Sequence, residues 1–261
     1  MRVLLHDMLT PVPASAFTSM GHEVVGYLPS DGERLSIADK LLQNTGPKVR
    51  ADVLATNAHY TKGREIKRLM KSIGAPYLLW DLGNEKMKRR TYAYCLSSLQ
   101  VEGYSCTVLE GINPADFGLN LRSKHNFLVA AVHRLDPLPQ KPKARFPHAT
   151  LDEILDHSKD WKIEFSGERG SLGKVFGNTH LEKAGYAPYT SVMPYLVAPH
   201  TLHYVSPSEA CAIVGVPVEL EKPMIDLMFH KPLLVGMLFS EAPYDMWKDI
   251  IDRTIGGCNG Y

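Results

Sequence analysis

The 261-residue chain is 44% hydrophobic, enough to bury a substantial core in one large domain or one domain with a small lobe. Its 29 Lys and Arg nearly balance its 28 Asp and Glu, which excludes a global basic field, so any contact with nucleic acid must come from local patches. Its four cysteines are far apart and none forms a Cys-x-x-Cys pair, which argues against a zinc site and a disulfide framework. No apolar run is long enough for a signal peptide or a membrane span, so a soluble, cytoplasmic protein with no membrane partner is expected.

Residues 2–5 read as a short apolar strand, 13–20 as a helix ended by Gly21, and 24–28 as a second strand. A strand–helix–strand start predicts a doubly wound α/β sheet with ligand sites at the carboxyl ends of its strands. Strands follow at 52–55 and 77–80, separated by a helix at 63–73 with Ile66, Leu69 and Met70 on one face. Asp81 ends the fourth strand, either as a functional carboxylate or as a helix-capping or turn residue. The next helix, 86–99, opens with Lys86, Lys88, Arg89 and Arg90, a solvated face or a phosphate-contacting patch.

Strands at 104–108 and 126–132 flank a loop containing Asn113-Pro114 and Asp116-Phe117-Gly118, where glycine suits an unusual turn. Four prolines with Lys141, Lys143 and Arg145 make 136–147 a semi-extended connection. Thr150 and Glu153 cap a short helix at 150–155. Five glycines between Gly167 and Gly185 mark a small lobe. Ser206, Pro207 and Glu209 form the start of a capped helix that Gly215 ends, and a terminal helix spans 243–255. The expected organisation is a core at 1–156, a small Gly-rich lobe at 157–200, and a part at 201–261 returning to the core, its last helix packing on the first strand.

The order Gly103-Tyr104, then Asn113-Pro114-Ala115-Asp116-Phe117-Gly118, then a basic run and an apolar strand resembles the centre of the DNA cytosine-5 methyltransferases. Weaker echoes keep the family's order: Gly21-His22-Glu23-Val24-Val25-Gly26, Asp52-Val53-Leu54, Ser206-Pro207-Ser208-Glu209 and Gly215-Val216-Pro217. The resemblance implies a Rossmann-like methyltransferase sheet. It also implies positions for the chemistry, and most of them have changed. The family's Gln-x-Arg-x-Arg run falls on Leu121, Ser123 and His125, with Arg122 and Lys124 displaced by one. Its glycine-rich S-adenosylmethionine loop falls on residues 7–12, which contain no glycine and include Pro11. The acidic residue that takes the cofactor's ribose corresponds to Asp31, and the base-holding glutamate to Asp81. The nucleophilic cysteine corresponds to Tyr60, beside His59, and a phenol lacks the thiolate's nucleophilicity.

By this resemblance the chain is a non-methylating relative, a pseudoenzyme with a DNA- or protein-binding, regulatory role, for which S-adenosylmethionine binding is weak or absent. Two alternatives stay open: altered chemistry on a pyrimidine base or nucleotide through Asp81, Tyr60 or His59, and a scaffold that uses the fold for association. DNA contacts would come from Lys86, Lys88, Arg89, Arg90, Arg122, Lys124, Lys141, Lys143 and Arg145.

Overall fold

Six short apolar runs pair into one sheet in the computed structural model, which describes residues 1–29, 36–42, 49–57, 63–83, 89–119, 124–133, 195–197, 202–204, 206–230, 234–239 and 241–256. The strands are β1 (Arg2–His6), β2 (Glu23–Leu28), β3 (Val53–Asn57), β4 (Tyr77–Asp81), β5 (Ser105–Ile112) and β6 (His125–Ala131). Their order is β2-β1-β3-β4-β6-β5. The first four run parallel, and β6 is inserted antiparallel between β4 and β5. All six expected strands are present, with ends shifted by a few residues. The largest shift is in β5, which runs on to Ile112 through a bulge at Glu110–Gly111. Gly111 has φ 64°, and its N–H donates to Asn126 Oδ1 at 2.8 Å. That turn lets Ile112 pair with His125 and so draws the start of β6 to the sheet's carboxyl edge.

Helices cover both faces, as a doubly wound sheet requires. On one side α3 (Gly63–Ile73) and α4 (Arg89–Val101) bury Ile66, Met70, Ile73 and Leu99 against Leu4, Leu54, Leu78, Trp80 and Leu128. Each such large side chain taken from water stabilises by about 1.5–3 kcal/mol. On the other side lie α1 (Val12–Ser19) and the terminal helix α8 (Tyr244–Thr254). Trp247 of α8 meets Phe127 of β6 edge-on at 5.2 Å between ring centres, and Phe17 of α1 at 6.0 Å. The terminal helix thus packs on α1, and its indole reaches the aromatic ring of β6.

Five-residue α2 (Ile37–Leu41) has no counterpart among the predicted elements; Ser36 and Asp39 close a capping box at its start. The contacts divide the chain into Met1–Ile112 with Lys124–Lys141 and Tyr244–Tyr261, and a second unit of Asn113–Ser123 with Pro142–Pro243. The second unit contains a 3-10 turn (Pro114–Phe117), a two-stranded ribbon of β7 (Tyr195–Val197) and β8 (Leu202–Tyr204), and helices α5 (Pro207–Val214), α6 (Val218–His230) and α7 (Val235–Leu238). Buried Ala210, Cys211, Ile213, Met224, Met228 and Leu238 account for the grouping of these three helices. The division at Pro243–Tyr244 cuts the expected 201–261 segment, and the expected small lobe at 157–200 lies outside the described residues apart from β7.

Candidate functional site

Parallel strands deliver their last residues to one edge, and those of β1, β3 and β4 are polar and buried: His6, Thr56, Asn57 and Asp81, with His125 opening β6 at the same edge. Register puts His6 beside Thr56, and Asn57 beside Asp81. His6 Nδ1 lies 3.0 Å from Thr56 Oγ1, while its Nε2 lies 3.6 Å from Glu65 Oε1 on α3.

Asp81 is 0% exposed and His125 1%. His125 Nδ1 sits 3.0 Å from Asp81 Oδ1 and 3.2 Å from Oδ2, so this nitrogen carries the proton and donates it to the carboxylate. The Gly83 N–H also donates to Oδ1, at 2.7 Å. Asn126 fixes the geometry from the neighbouring strand: its N–H donates to Gly83 O at 3.1 Å and its O accepts from Leu82 N at 2.7 Å. The left-handed Gly83 (φ 61°) permits that turn. Asp81 is thus a turn residue and half of a hydrogen-bonded carboxylate–imidazole pair at once. With Nδ1 committed, Nε2 of His125 is enclosed and has no hydrogen-bond partner among the described residues. In the sequence Asp81 is a strand-end candidate and His125 stands at the position of a family arginine, and that alignment is the signal that pairs them.

The turn after β1 is buried and tied to its neighbours by hydrogen bonds. Asp7 takes a left-handed conformation (φ 48°), and its N–H donates to Leu28 O at 2.9 Å. Met8, Leu9, Thr10 and Val12 are buried. Leu9 O accepts from both Ile37 N (2.9 Å) and Ala38 N (3.1 Å), which satisfies two orphan donors of α2. Val12 N donates to Thr10 Oγ1 at 3.2 Å, and Pro11 has no N–H to offer. Tyr27 Oη donates to Asp39 Oδ1 at 2.6 Å, with Met8 O a second acceptor at 3.3 Å. Burial first, and the Asp39 bond second, push the Tyr27 hydroxyl well above the usual phenol range.

Of the other predicted site residues, Asp31, His59, Tyr60, Lys86, Lys88, Arg122, Lys141, Lys143 and Arg145 lie outside the described residues. Arg89 and Arg90 occupy the first turn of α4, which starts from the carboxyl edge, and Lys124 is exposed immediately before β6. Burial pushes the thiols up, to about 11 at Cys106 and, with help from the Glu221 charge, to about 12 at Cys211, so neither is a thiolate at neutral pH. Among the described residues no three His, Cys, Asp or Glu side chains are grouped to hold a metal, and no helix is long and apolar enough to cross a membrane.

No family model and no curated protein sequence matches the chain. Solved structures do. The Dnmt2 methyltransferase of S. pombe superposes with a TM-score of 0.68 at 11% identity, covering 99% of each chain. The Entamoeba histolytica methyltransferase EhMeth gives 0.64 at 10% identity, again over 99% of both. A putative DNA modification methyltransferase encoded within an E. coli prophage gives 0.58 at 10%, over 97% of this chain and 99% of that one. At such identities what is shared is architecture: the chain has the Rossmann-like α/β fold of these methyltransferases.

Proposed function

We propose that this chain is a non-methylating relative of the DNA cytosine-5 methyltransferases that works by binding, to DNA or to a protein partner. The buried β1–α1 turn carries the reading. A nucleoside cofactor lying against that turn needs a backbone without side chains in the way, because only glycine allows the chain to approach so closely. Here the turn carries the side chains of buried Met8, Leu9 and Thr10 in place of glycine, Leu9 O is spent on α2, and the acidic side chain after β2 that the structure describes, Asp39, is bonded to Tyr27 and to the α2 cap. These residues do not fit S-adenosylmethionine, and no step is routed through it. The absence of a glycine, of a Pro-Cys nucleophile and of the Gln-x-Arg-x-Arg residues in the sequence supports the same reading.

The test is calorimetry with S-adenosylmethionine and its demethylated product, followed by mass spectrometry of DNA nucleosides after incubation with both. No micromolar binding and no 5-methylcytosine are expected; methylated cytosine overturns the proposal. One observation favours the second reading, altered chemistry on a pyrimidine. Asp81 and His125, aligned with two of the family's base-holding positions, form a carboxylate–imidazole pair, the usual make-up of a proton-transferring group. A modified pyrimidine other than 5-methylcytosine in the same spectra selects it.

A further inference from the structure

At the amino edge of the sheet, away from the strand ends that form the candidate site, lies a cavity of about 330 Å³. It is walled by Arg2 at the start of β1, by Arg50 and Asp52 just before β3, and by the last turn of α3 with Lys71. That volume suits a small molecule. Charges of both signs line it without meeting. Arg50 is exposed and has no carboxylate partner among the described residues. Asp52 is close by in the chain, yet the hydrogen bond its Oδ2 accepts comes from the neutral Arg2 N–H, at 2.7 Å. The return bond, Asp52 N–H to Arg2 O at 2.8 Å, fixes the two segments against each other. Lys71 Nζ reaches Glu102 Oε2 at 2.9 Å and Arg2 Nε stands 3.9 Å from Glu23 Oε2, but neither of those carboxylates lines the cavity. The end of α3 adds acceptors. Gly74 and Ala75 N–H both donate to Met70 O, at 2.9 and 3.3 Å, so the carbonyls of Lys71, Ser72 and Ile73 receive no backbone donor among the described residues. They form the negative end of that helix.

We propose that this cavity binds a small zwitterion, its ammonium group on Asp52 and the α3 carbonyls and its phosphate on Arg50, Arg2 and Lys71. Each set of charges argues against a simpler ligand. A bare phosphate would lie beside the Asp52 carboxylate and the negative end of α3, and a bare amine would lie beside three cations. A molecule with both groups finds partners at both ends. Phosphate fits the anionic end better than carboxylate, because two guanidinium forks and an ammonium offer more donors and more charge than one carboxylate can use. Arg50 and Asp52 line one cavity without pairing, which leaves each to a ligand's opposite charge. The amino edge lies at the other end of the strands from Asp81 and His125, so the inference stands apart from the proposed function.

The experiment is calorimetry on the intact chain at low salt, with phosphoethanolamine, inorganic phosphate and ethanolamine as probes and amide chemical shifts as a second readout. Phosphoethanolamine is expected to bind several-fold more tightly than either of the others. R50A removes an exposed, unpaired side chain, and it should weaken that binding several-fold while the thermal midpoint stays unchanged. D52N keeps an oxygen for the Arg2 N–H but loses the charge, and should bring phosphoethanolamine down to the affinity of phosphate. If that variant does not fold, R50A and the wild-type titrations decide. Phosphate binding as tightly as phosphoethanolamine overturns the zwitterion class. Binding that R50A leaves unchanged puts the ligand elsewhere and overturns the assignment. No heat and no shift with any probe overturns the site itself. None of these outcomes touches the S-adenosylmethionine and nucleoside measurements that test the proposed function.

Discussion

A carboxylate at the end of a central strand, with no access to water, has to be matched by donors, and Asp81 is matched by Gly83 N–H and by His125. Removing one partner leaves the other buried and unsatisfied, which costs about 1–3 kcal/mol, whereas replacing both by apolar groups of the same shape is often nearly neutral or stabilising. We expect D81L to lower the urea unfolding free energy by about that amount and D81L/H125F to recover most of it. A double variant as weak as the single one would show that the pair does not act as a unit. The thiols make a second prediction at this scale. Cys211 has an ordinary value of 9.0 and sits at about 12 when folded, and Cys106 at about 11. Above pH 9 the unfolded chain ionises first, so stability is intact below that pH and is lost as pH rises toward 12. Tyr27 and Tyr104, both raised first by burial, add to the same slope. Urea midpoints measured from neutral to strongly alkaline pH should fall across this window, and less steeply in C211A.

Helix α5 shows what local sequence specifies. Ser206 accepts from Glu209 N at 3.3 Å while Glu209 Oε2 accepts from Ser206 N at 2.8 Å, the reciprocal cap expected from the residue types alone. Gly215 ends the helix at φ 68°, as anticipated, with Leu119 Cδ2 only 2.7 Å from where a Cβ would stand. Loss of the cap in S206A should cost about 1 kcal/mol, read as a lower thermal midpoint with the sheet unit's aromatic signal retained. G215A should be worse than a crowding argument implies: the leucine tip can yield, but the left-handed backbone cannot become comfortable. Helix α2 escaped the sequence reading because five residues show no period. Its start is secured by Leu9 O, 28 residues away in the chain from Ile37. Helix α6 has no counterpart among the predicted elements, and it holds Pro223 in its interior, where proline ordinarily breaks a helix. The site was half legible for a similar reason. Asp81 could be placed at a strand end from its apolar neighbours, but its contact with His125 depends on β6 entering between β4 and β5, a pairing across 44 residues that no local pattern encodes.

Across the whole molecule, roughly one residue in nine or ten is shared with proteins whose architecture it follows over nearly their full length. Alternating apolar strands and amphipathic helices tolerate that drift, whereas chemistry depends on particular side chains, so a shared fold does not by itself carry a shared function. If binding is the surviving role, its partner must be found by local charge, because the chain carries a net charge of only +1. Arg89 and Arg90 fall in the first turn of the 13-residue α4, and exposed Lys124 precedes β6 at the carboxyl edge. We therefore predict weak, salt-sensitive retardation of DNA with little sequence preference, since phosphate contacts position a protein without reading bases. Each neutralised phosphate contributes about −0.9 to the slope of log affinity against log salt. Reversing Arg89, Arg90 and Lys124 to glutamate should abolish retardation while circular dichroism stays unchanged; replacing Lys124 alone by alanine should flatten the slope by about one contact. If the wild-type chain retards neither single- nor double-stranded DNA even at low salt, the edge serves a protein partner, and the same charge reversal becomes the test of that interaction.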